Sequence, residues 1–367
     1  MTRFGDQELI SFPSATYPPS AVTTAHANGS PAVRRQLTEW MRPAVPTKVF
    51  LSYWGFATER QEVFFRRLAG GSAPWTSDPV IAAHRFTNAY RAADRVSQYL
   101  IREVQGGRWS AQNLFFRTLL FKFFNRIATW ELLKTYVGEP EFSSDYLRAA
   151  AVALEGAMKR NTRIYSAAYI MPSGGKHSGF RYKHELHLWL LGKMMADELP
   201  AQLNRARSMA EAFALLRSYP TVGDFLAYQY VTDLNYSTLM DFEESEFVVA
   251  GPGAHEGIDK CFSSLGGMDA EAIIRRVAAI QEKAFSALGL RFRKLGERKL
   301  QLIDCQNLFC EVGKFARVRH PDATPRGGRT RIKQRFTPNS NPLEFRFPLN
   351  WGLHLQSEPV DRHVADV

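Results

Sequence analysis

Two carboxylates and an amide lie at helical spacing in the stretch LQLIDCQNLFCEVGKFARVR, residues 300–319. Asp304, Asn307 and Glu311 stand at positions i, i+3 and i+7, so a helix would place them on one face. Two helical turns separate the carboxylates by about 10 Å, which would let them share general acid/base work or activate a water molecule. A half-buried structural hydrogen-bond network is the alternative interpretation, and the sequence leaves both open.

A second polar face is predicted in RFTNAYRAADRVSQYL, residues 85–100. Helical spacing there aligns amide, guanidinium and carboxylate groups. The aligned residues are Asn88, Arg91, Asp94 (or its neighbour Arg95) and Gln98. Such a face could read the edge of a base or hold a phosphate. A solvated helix face with salt bridges is the alternative.

The stretch LLRSYPTVGDFLAYQYVTDLNY, residues 215–236, predicts a helix, a five-residue hairpin and a second helix. The backbone N–H groups of such a hairpin, with the positive end of the following helix, can hold a phosphate oxygen. A tight turn would account for Gly223. The hairpin residues predicted to contact the DNA backbone are Pro220, Thr221, Val222 and Gly223. An ordinary turn between two helices fits the same pattern.

Small residues and basic residues provide further candidate contacts to a DNA backbone. The turn Gly251-Pro252-Gly253-Ala254 could bring backbone amides close to an anion. Basic residues cluster in PDATPRGGRTRIKQRF and would neutralise phosphates. The residues predicted to contact DNA outside the hairpin are Gly251, Pro252, Gly253, Lys122, Lys176, Arg326, Arg329, Arg331, Lys333 and Arg335.

The elements that must position these residues are predicted to be mainly α-helical. The chain has 367 residues, 45% of them hydrophobic, which is enough for one large core or two smaller ones. Apolar residues recur at three- and four-residue intervals from about residue 47 to residue 310. We predict an extended arm over 1–46, a helical domain over 47–318 that could form two lobes around a cleft, and a basic extension and tail over 319–367.

Composition restricts the partners and the compartment. The 47 Lys and Arg exceed the 36 Asp and Glu, and the net charge of +11 favours nucleic acid or an acidic membrane surface. No apolar run of 18 residues occurs, and the N-terminus lacks a signal-peptide core, so we expect a cytoplasmic protein that does not span a membrane. Three cysteines without a CxxC pair predict no cofactor and no metal, although a metal ion bound by the hairpin is left open.

Five stretches, in this order, resemble the helical domain of the 5-hydroxymethyl-deoxyuridine DNA kinases, a family also grouped as alpha-glutamyl/putrescinyl-thymine pyrophosphorylases. They are NAYRAADRVSQYL, LFFRTLLFKFFNRIATWE, YPTVGDFLAYQYVTDLNYS, VVAGPGAHEGIDKCF and LIDCQNLFCEVGKFAR, within about residues 48–318. The resemblance implies a helix-hairpin-helix DNA-glycosylase-like fold and an association with hypermodified bases in phage DNA. The phage kinases join this domain to a P-loop kinase, whose motif is absent from this sequence, so a kinase role is not expected.

The resemblance also implies where glycosylase chemistry should be found. Bifunctional relatives carry a Lys at the position of Phe225, so lyase chemistry is not expected. The usual catalytic Asp has no clear counterpart, because the nearest acids are Asp241, Glu243, Glu244 and Glu246, or else Gly253 replaces it. Another carboxylate would then stabilise an oxocarbenium-like sugar and orient water. The candidate catalytic acids are Asp94, Asp233, Asp304 and Glu311, and the candidate base-binding residues are Asn88, Arg91, Gln98, Tyr169 and Asn307.

These patterns and the resemblance together predict a monofunctional DNA glycosylase that flips and excises a modified pyrimidine. The expected partner is double-stranded DNA bound by a monomer. The resemblance implies that this is phage DNA with hydroxymethylated or glucosylated bases and that the role is anti-phage defence. Two alternatives remain open at this point. One is a transferase that hypermodifies 5-hydroxymethylpyrimidines in DNA, and the other is a non-catalytic module that binds modified DNA.

Overall fold

The computed structural model describes residues 8–10, 29–167, 171–172, 179–323, 329–338 and 345–355. These residues are mainly helical, which confirms the predicted fold class. The helices are α1 (Pro31–Met41), α2 (Lys48–Leu68), α3 (Pro79–Ala83), α4 (Arg95–Tyr99), α5 (Ala111–Phe124), α6 (Ile127–Tyr136), α7 (Ser144–Lys159), α8 (Lys183–Ala196), α9 (Leu199–Arg205), α10 (Met209–Arg217), α11 (Asp224–Asn235), α12 (Pro252–Cys261), α13 (Ala270–Ala287) and α14 (Leu302–Arg319). Within the described ranges, no helix combines the length and apolarity needed to cross a membrane.

Two pairs of short strands join distant parts of the chain. β1 (Glu8–Ile10) pairs in parallel with β4 (Leu353–Leu355), with Glu8 opposite Leu353. β2 (Val45–Pro46) pairs antiparallel with β3 (Phe262–Ser264), with Val45 opposite Ser264. Both pairs connect an N-terminal segment to a segment that follows most of the helices, so the ends of the described chain are held against its helical body.

Helix α14 lies at the centre of one half of the core and packs against α2, α12 and α13. Phe309, Val312 and Phe315 are fully buried on it. The contact with α12 depends on glycine, because a Cβ on Gly257 would lie 1.9 Å from the Phe309 carbonyl oxygen. The two backbones therefore touch, and this close packing fixes α14 against α12.

Helix α5 lies at the centre of the other half and packs against α8, α9 and α11. Its sequence, AQNLFFRTLLFKFF, is apolar on nearly all sides, as expected for a helix surrounded by protein. The helix ends at Asn125, whose left-handed backbone (φ 47°) lets its N–H donate to the Phe121 carbonyl at 2.7 Å. This arrangement carries Lys122 into the interior.

Residues 31–41 form helix α1, where an extended arm was predicted. The Ser30 side chain accepts a hydrogen bond from the Val33 N–H at 3.3 Å, and a proline occupies the first turn. Leu37 and Met41 are buried, and α1 packs against α13. The pattern was missed because the apolar stripe of this polar segment is narrow. Residues 1–7 and 11–28 of the predicted arm lie outside the described residues, and the domain boundaries stay a prediction.

The single helix predicted over residues 85–100 is wrong for its first half. A 3₁₀ turn covers Arg91–Ala93, and α4 begins only at Arg95. The N–H of Arg85 donates to the Gln334 carbonyl at 3.1 Å, and the N–H of Asn88 donates to Asp94 Oδ1 at 2.7 Å. These backbone N–H groups bond to partners other than the i−4 carbonyls of a helix. The polar side chains of the segment therefore do not share one helical face and belong to two separate clusters.

Candidate functional site

A fully buried group of charges, the inner ion cluster, joins α5, α11 and the 3₁₀ turn. It consists of Arg91, Lys122 and Asp233, with Gln229 and Asn125 beside them. Asp233 Oδ1 lies 2.8 Å from Arg91 Nη1, and Asp233 Oδ2 lies 3.1 Å from Lys122 Nζ. Burial alone would raise the pKa of Asp233, but the two cations hold it below its usual value. With no solvent exposure and both oxygens beside cations, Asp233 is suited to positioning Arg91.

Asp304 connects the inner ion cluster to the start of α14. Its Oδ1 accepts the Arg91 backbone N–H at 2.7 Å, and its Oδ2 accepts the Gln301 N–H at 2.9 Å. Burial raises the pKa of Asp304 to about 6, against these two hydrogen bonds. Asp304 therefore caps α14 and fixes the 3₁₀ turn, a positioning role. Asn307 lies half-buried on the same helical face.

A second group, the carboxylate cluster, is less enclosed. It consists of Asp94, Glu311, Lys314 and Arg60, and Asp94 and Lys314 are only half-buried. Glu311 Oε1 lies 2.5 Å from Lys314 Nζ, and Glu311 Oε2 accepts the Thr87 N–H at 3.2 Å. Arg60 donates from Nε to the Thr87 carbonyl at 3.0 Å and from Nη2 to Asn88 Oδ1 at 3.2 Å.

The two carboxylates of this cluster interact electrostatically. Burial raises the pKa of Asp94 to about 7, and the negative charge of Glu311 adds to the rise, while the Asn88 N–H and two arginines oppose it. Arg60 has its pKa lowered to about 10, chiefly by burial. A carboxyl group that titrates near neutral pH beside a second carboxylate can exchange protons with a substrate. Of the four predicted catalytic acids, Asp94 and Glu311 are the pair that the structure brings together in this way.

An apolar cavity of about 310 Å³ borders the carboxylate cluster. Arg60 and Phe86 line it, and Lys314 Nζ lies 6.0 Å from the centre of the Phe86 ring. Asp94 and Glu311 do not line the cavity themselves, and Arg60 is the member of the carboxylate cluster that does. Within the described residues, no three His, Cys, Asp or Glu side chains are grouped so that they could hold a metal ion.

A family model described as "5-hmdU DNA kinase, helical domain" matches residues 47–324. The chain belongs to this family. It is 28% identical, over 276 residues, to the 5-hmdU DNA kinase of Bacillus phage SP10, an alignment that covers 70% of this chain and 43% of the phage protein. The chain thus spans less than half the length of that relative. No solved structure matches it significantly.

Within the region matched to the 5-hmdU DNA kinase helical domain, the predicted hairpin joins α10 to α11. The residue with left-handed backbone is Thr221 (φ 66°), whereas Gly223 has φ −80° and open space around its missing Cβ. The expectation that the turn requires Gly223 is therefore wrong. Val222 is buried and its N–H donates to the Tyr219 carbonyl at 3.3 Å, so that amide is not available to a phosphate. Pro220 and Gly223 are exposed.

The glycines of the Gly251-Pro252-Gly253 turn serve packing in this family member. A Cβ on Gly251 would lie 2.7 Å from the Phe225 ring, and one on Gly253 would lie 2.4 Å from Cys310 Sγ. Both glycines are therefore required for packing, and the predicted approach of a ligand to this turn stays a prediction. Pro252 is exposed at the first turn of α12. Residues 247–250, the apolar run that precedes this turn, form no strand.

The C-terminal segment 345–355 covers two further residues that the sequence singled out. Gln98 Nε2 donates to the Arg346 carbonyl at 3.0 Å, and Gln98 Oε1 accepts the Arg346 N–H at 2.9 Å. Glu244 lies 3.0 Å from Arg298 Nη2 and accepts a hydrogen bond from Trp351 Nε1 at 3.1 Å. Burial raises the pKa of Glu244 to about 7. In this arrangement Gln98 is occupied by the chain itself and is not free to read a base.

The predicted basic contacts fall into three groups. Lys122 is 2% exposed and pairs with Asp233, so its predicted contact with DNA is wrong in this conformation. Exposed residues of the basic extension are Arg329, Arg331, Lys333 and Arg335. Predicted site residues outside the described residues are Tyr169, Lys176 and Arg326. Sequence reasoning missed Arg60, because a single arginine within helix α2 gives no sign of which distant loop it contacts.

Proposed function

We propose that this chain acts on a modified pyrimidine in double-stranded DNA and that the carboxylate cluster supplies the acid and the base. The observation that carries the proposal is the pairing of Asp94, with its pKa of about 7, and Glu311 beside an open apolar cavity. The family membership and the description of the phage relative as a 5-hmdU DNA kinase support DNA with a modified pyrimidine as the substrate class.

The proposed reaction is hydrolysis of the N-glycosidic bond. Protonated Asp94 donates a proton to the leaving base, and Glu311, in its ion pair with Lys314, orients water and stabilises the positive charge that develops on the sugar. A carboxyl group whose pKa is raised to about 7, beside a carboxylate held in an ion pair, suits these two roles. Phe225 packs against Gly251 at the position where an amine nucleophile would be needed for lyase chemistry. In a cell, excision of modified bases from phage DNA would act as defence.

The test uses duplex oligonucleotides with one central 5-hydroxymethyl-deoxyuridine, one glucosylated 5-hydroxymethyl-deoxycytidine or one thymidine. Mass spectrometry detects free base, and alkali treatment followed by a denaturing gel detects abasic sites. We expect free base and abasic sites from a modified duplex, none from the thymidine duplex, and about 100-fold slower formation of both products with Asp94→Asn. Absence of both products on every modified duplex would refute the glycosylase proposal.

A second candidate is group transfer to the 5-hydroxymethyl group, which the phage relative favours because it is described as a kinase. Arg60 and Lys314 beside the carboxylates could hold a phosphorylated 5-substituent. In the same assay with ATP added, this reaction would give a base of increased mass that stays attached to DNA. Selective binding to modified DNA without any product would instead favour a non-catalytic binding module.

A further inference from the structure

The apolar cavity beside the carboxylate cluster is built from three separate parts of the chain. Its walls come from α2, from the residues around α3 and from the extended segment 329–338. Three aromatic rings, those of Trp75, Phe86 and Phe336, face it, and Trp75 and Phe336 lie edge to face with centroids 6.2 Å apart. Aromatic walls offer a planar ring stacking contacts of about 1–3 kcal/mol per base.

Backbone pairing holds the third wall in place. The Arg85 N–H donates to the Gln334 carbonyl and the Phe336 N–H donates to the Ala83 carbonyl, each at 3.1 Å. His84 stands opposite Arg335 in an antiparallel bridge between these bonds. Phe336 is thus fixed against the cavity by a segment beyond residues 47–324, which the family model matches. Membership of the family alone does not predict this wall.

The segment that supplies the third wall of the cavity is basic on its exposed side. Along the paired segment, Ile332 is buried while Arg331, Lys333 and Arg335 are exposed, so the segment turns an apolar contact inward and cations outward. Exposed arginines and lysines bind DNA phosphates and release counterions. A nucleotide extruded from a duplex has this combination of properties, with a planar base to bury and a charged backbone that stays outside.

The polar groups in the cavity suit an uncharged base. His84 lines it, and the buried His84 Nδ1 has no hydrogen-bond partner within the described part of the chain. Burial and the charge of Arg335 lower the pKa of His84, so its imidazole is neutral at pH 7 and offers one donor and one acceptor. Thr76 also lines the cavity, but its hydroxyl already accepts the Asp78 N–H at 3.1 Å. The donor and the acceptor of a neutral imidazole match the edge of a pyrimidine.

We propose that this cavity receives the flipped pyrimidine together with its 5-substituent and selects small, uncharged substituents such as hydroxymethyl. The inference rests on the proposed function for the identity of the substrate and adds the place where the base is held. Ligand pockets usually span about 300 to 1,000 Å³, so a cavity at the lower limit suits a single base. Arg60 lines the cavity and also donates to Asn88 beside Asp94, so it connects the proposed base pocket to the carboxylate cluster.

The test compares two neighbouring alanines at the end of α3. Ala82 lines the cavity and Ala83 does not, although both are half-buried. Ala82→Leu fills the cavity, and Ala83→Leu adds the same side chain outside it. Fluorescence anisotropy measures binding to fluorescein-labelled duplexes with one 5-hydroxymethyl-deoxyuridine or one thymidine. A neighbouring 2-aminopurine reports flipping.

We expect the wild-type chain to prefer the modified duplex by about tenfold, the scale on which one buried group discriminates. Ala82→Leu should reduce the preference to about twofold or less without lowering the melting temperature, and Ala83→Leu should retain it. Phe336→Ala, which removes a wall outside the helical core, should also reduce it. The pocket proposal would be overturned if Ala82→Leu and Phe336→Ala both kept the wild-type preference for the modified duplex. It would also be overturned if the wild-type chain showed no such preference.

The base-release assay, run on the same proteins, separates the two proposals. Loss of preference in Ala82→Leu without base release by the wild-type chain would support the pocket and refute hydrolysis. Base release at equal rates by wild type, Ala82→Leu and Phe336→Ala would support hydrolysis and overturn the pocket.

Discussion

The inner ion cluster and the carboxylate cluster contain the same kinds of side chain in different environments. Asp233 is 0% exposed between two cations that lower its pKa, whereas Asp94 is half-buried and has its pKa raised to about 7. The first carboxylate is held in one charge state by its partners. The second lies near the point where its proton is exchanged at neutral pH, beside Glu311 and an open cavity. Partners and access to solvent, more than residue type, distinguish a positioning acid from a candidate catalytic one.

The largest expected effect comes from breaking the inner ion cluster. Asp233→Asn removes the negative charge that pairs with Arg91 and Lys122 in the interior, and we expect unfolding free energy to fall by about 3–5 kcal/mol. Urea denaturation at pH 7 measures this change. The matched control is Asp224→Asn, which removes an exposed ion pair with Arg217 and should cost less than about 1 kcal/mol. Equal losses in the two variants would contradict the structural role of Asp233.

In the carboxylate cluster, substitutions should lower the rate of base release and leave stability almost unchanged. Asp94→Asn and Glu311→Gln keep an oxygen that can accept the hydrogen bond from Asn88 or Thr87, so stability should change little. Base release should fall by about 100-fold or more, the usual contribution of a general acid or base. Single-turnover assays measure the rate. A rate within a fewfold of wild type in both variants would remove these acids from the mechanism.

The pH dependence of base release and of stability tests the raised pKa of Asp94. If protonated Asp94 is the acid, base release should decrease as pH rises through about 7, and Asp94→Asn should remove that inflection. Folding raises the pKa of Asp94 from 3.8, so the folded state binds the proton more tightly and stability should fall as pH rises from about 4 to about 7. Urea denaturation across this range should show a shallower fall in Asp94→Asn, and an unchanged slope would count against the raised pKa.

A smaller effect is expected from the exposed basic residues of segment 329–338. Replacing Arg331, Lys333 and Arg335 together by Ala should lower DNA affinity equally for modified and unmodified duplexes. The slope of log K against log salt should decrease by about one for each phosphate that the protein no longer neutralises. Arg205→Ala, which removes an exposed cation on α9, is the control. If the slope of log K against log salt is unchanged in the triple variant, DNA does not contact these residues.

The smallest effect concerns the hairpin. Thr221 is a β-branched residue at φ 66°, and its buried hydroxyl has no hydrogen-bond partner in the described structure. Thr221→Gly should raise stability by up to about 1 kcal/mol, since relief of strain exceeds the added chain entropy. Gly223→Ala should be nearly neutral, because nothing lies within 4 Å of the added Cβ. Thermal unfolding measures both, and destabilisation by Thr221→Gly would contradict the argument.

Local patterns predicted much of the candidate site. The spacing of Asp304, Asn307 and Glu311 correctly predicted a helix with these residues on one face, and the hairpin between α10 and α11 was also correct. The helix predicted over residues 85–100 was wrong because its N–H groups bond to Gln334 and Asp94, which periodicity does not reveal. Catalytic and base-binding roles for the predicted residues stay predictions.

The sequence by itself determined the mainly α-helical class, the family and the presence of an acidic face on α14, because these depend on spacing of three and four residues and on ordered motifs. Only the tertiary structure decided that Asp233 is enclosed by Arg91 and Lys122 while Asp94 lies beside Glu311. It also decided that Phe336 closes a cavity next to Arg60. The pKa of a carboxyl group depends on burial and on charges that are distant in the chain, and these are set when the helices pack.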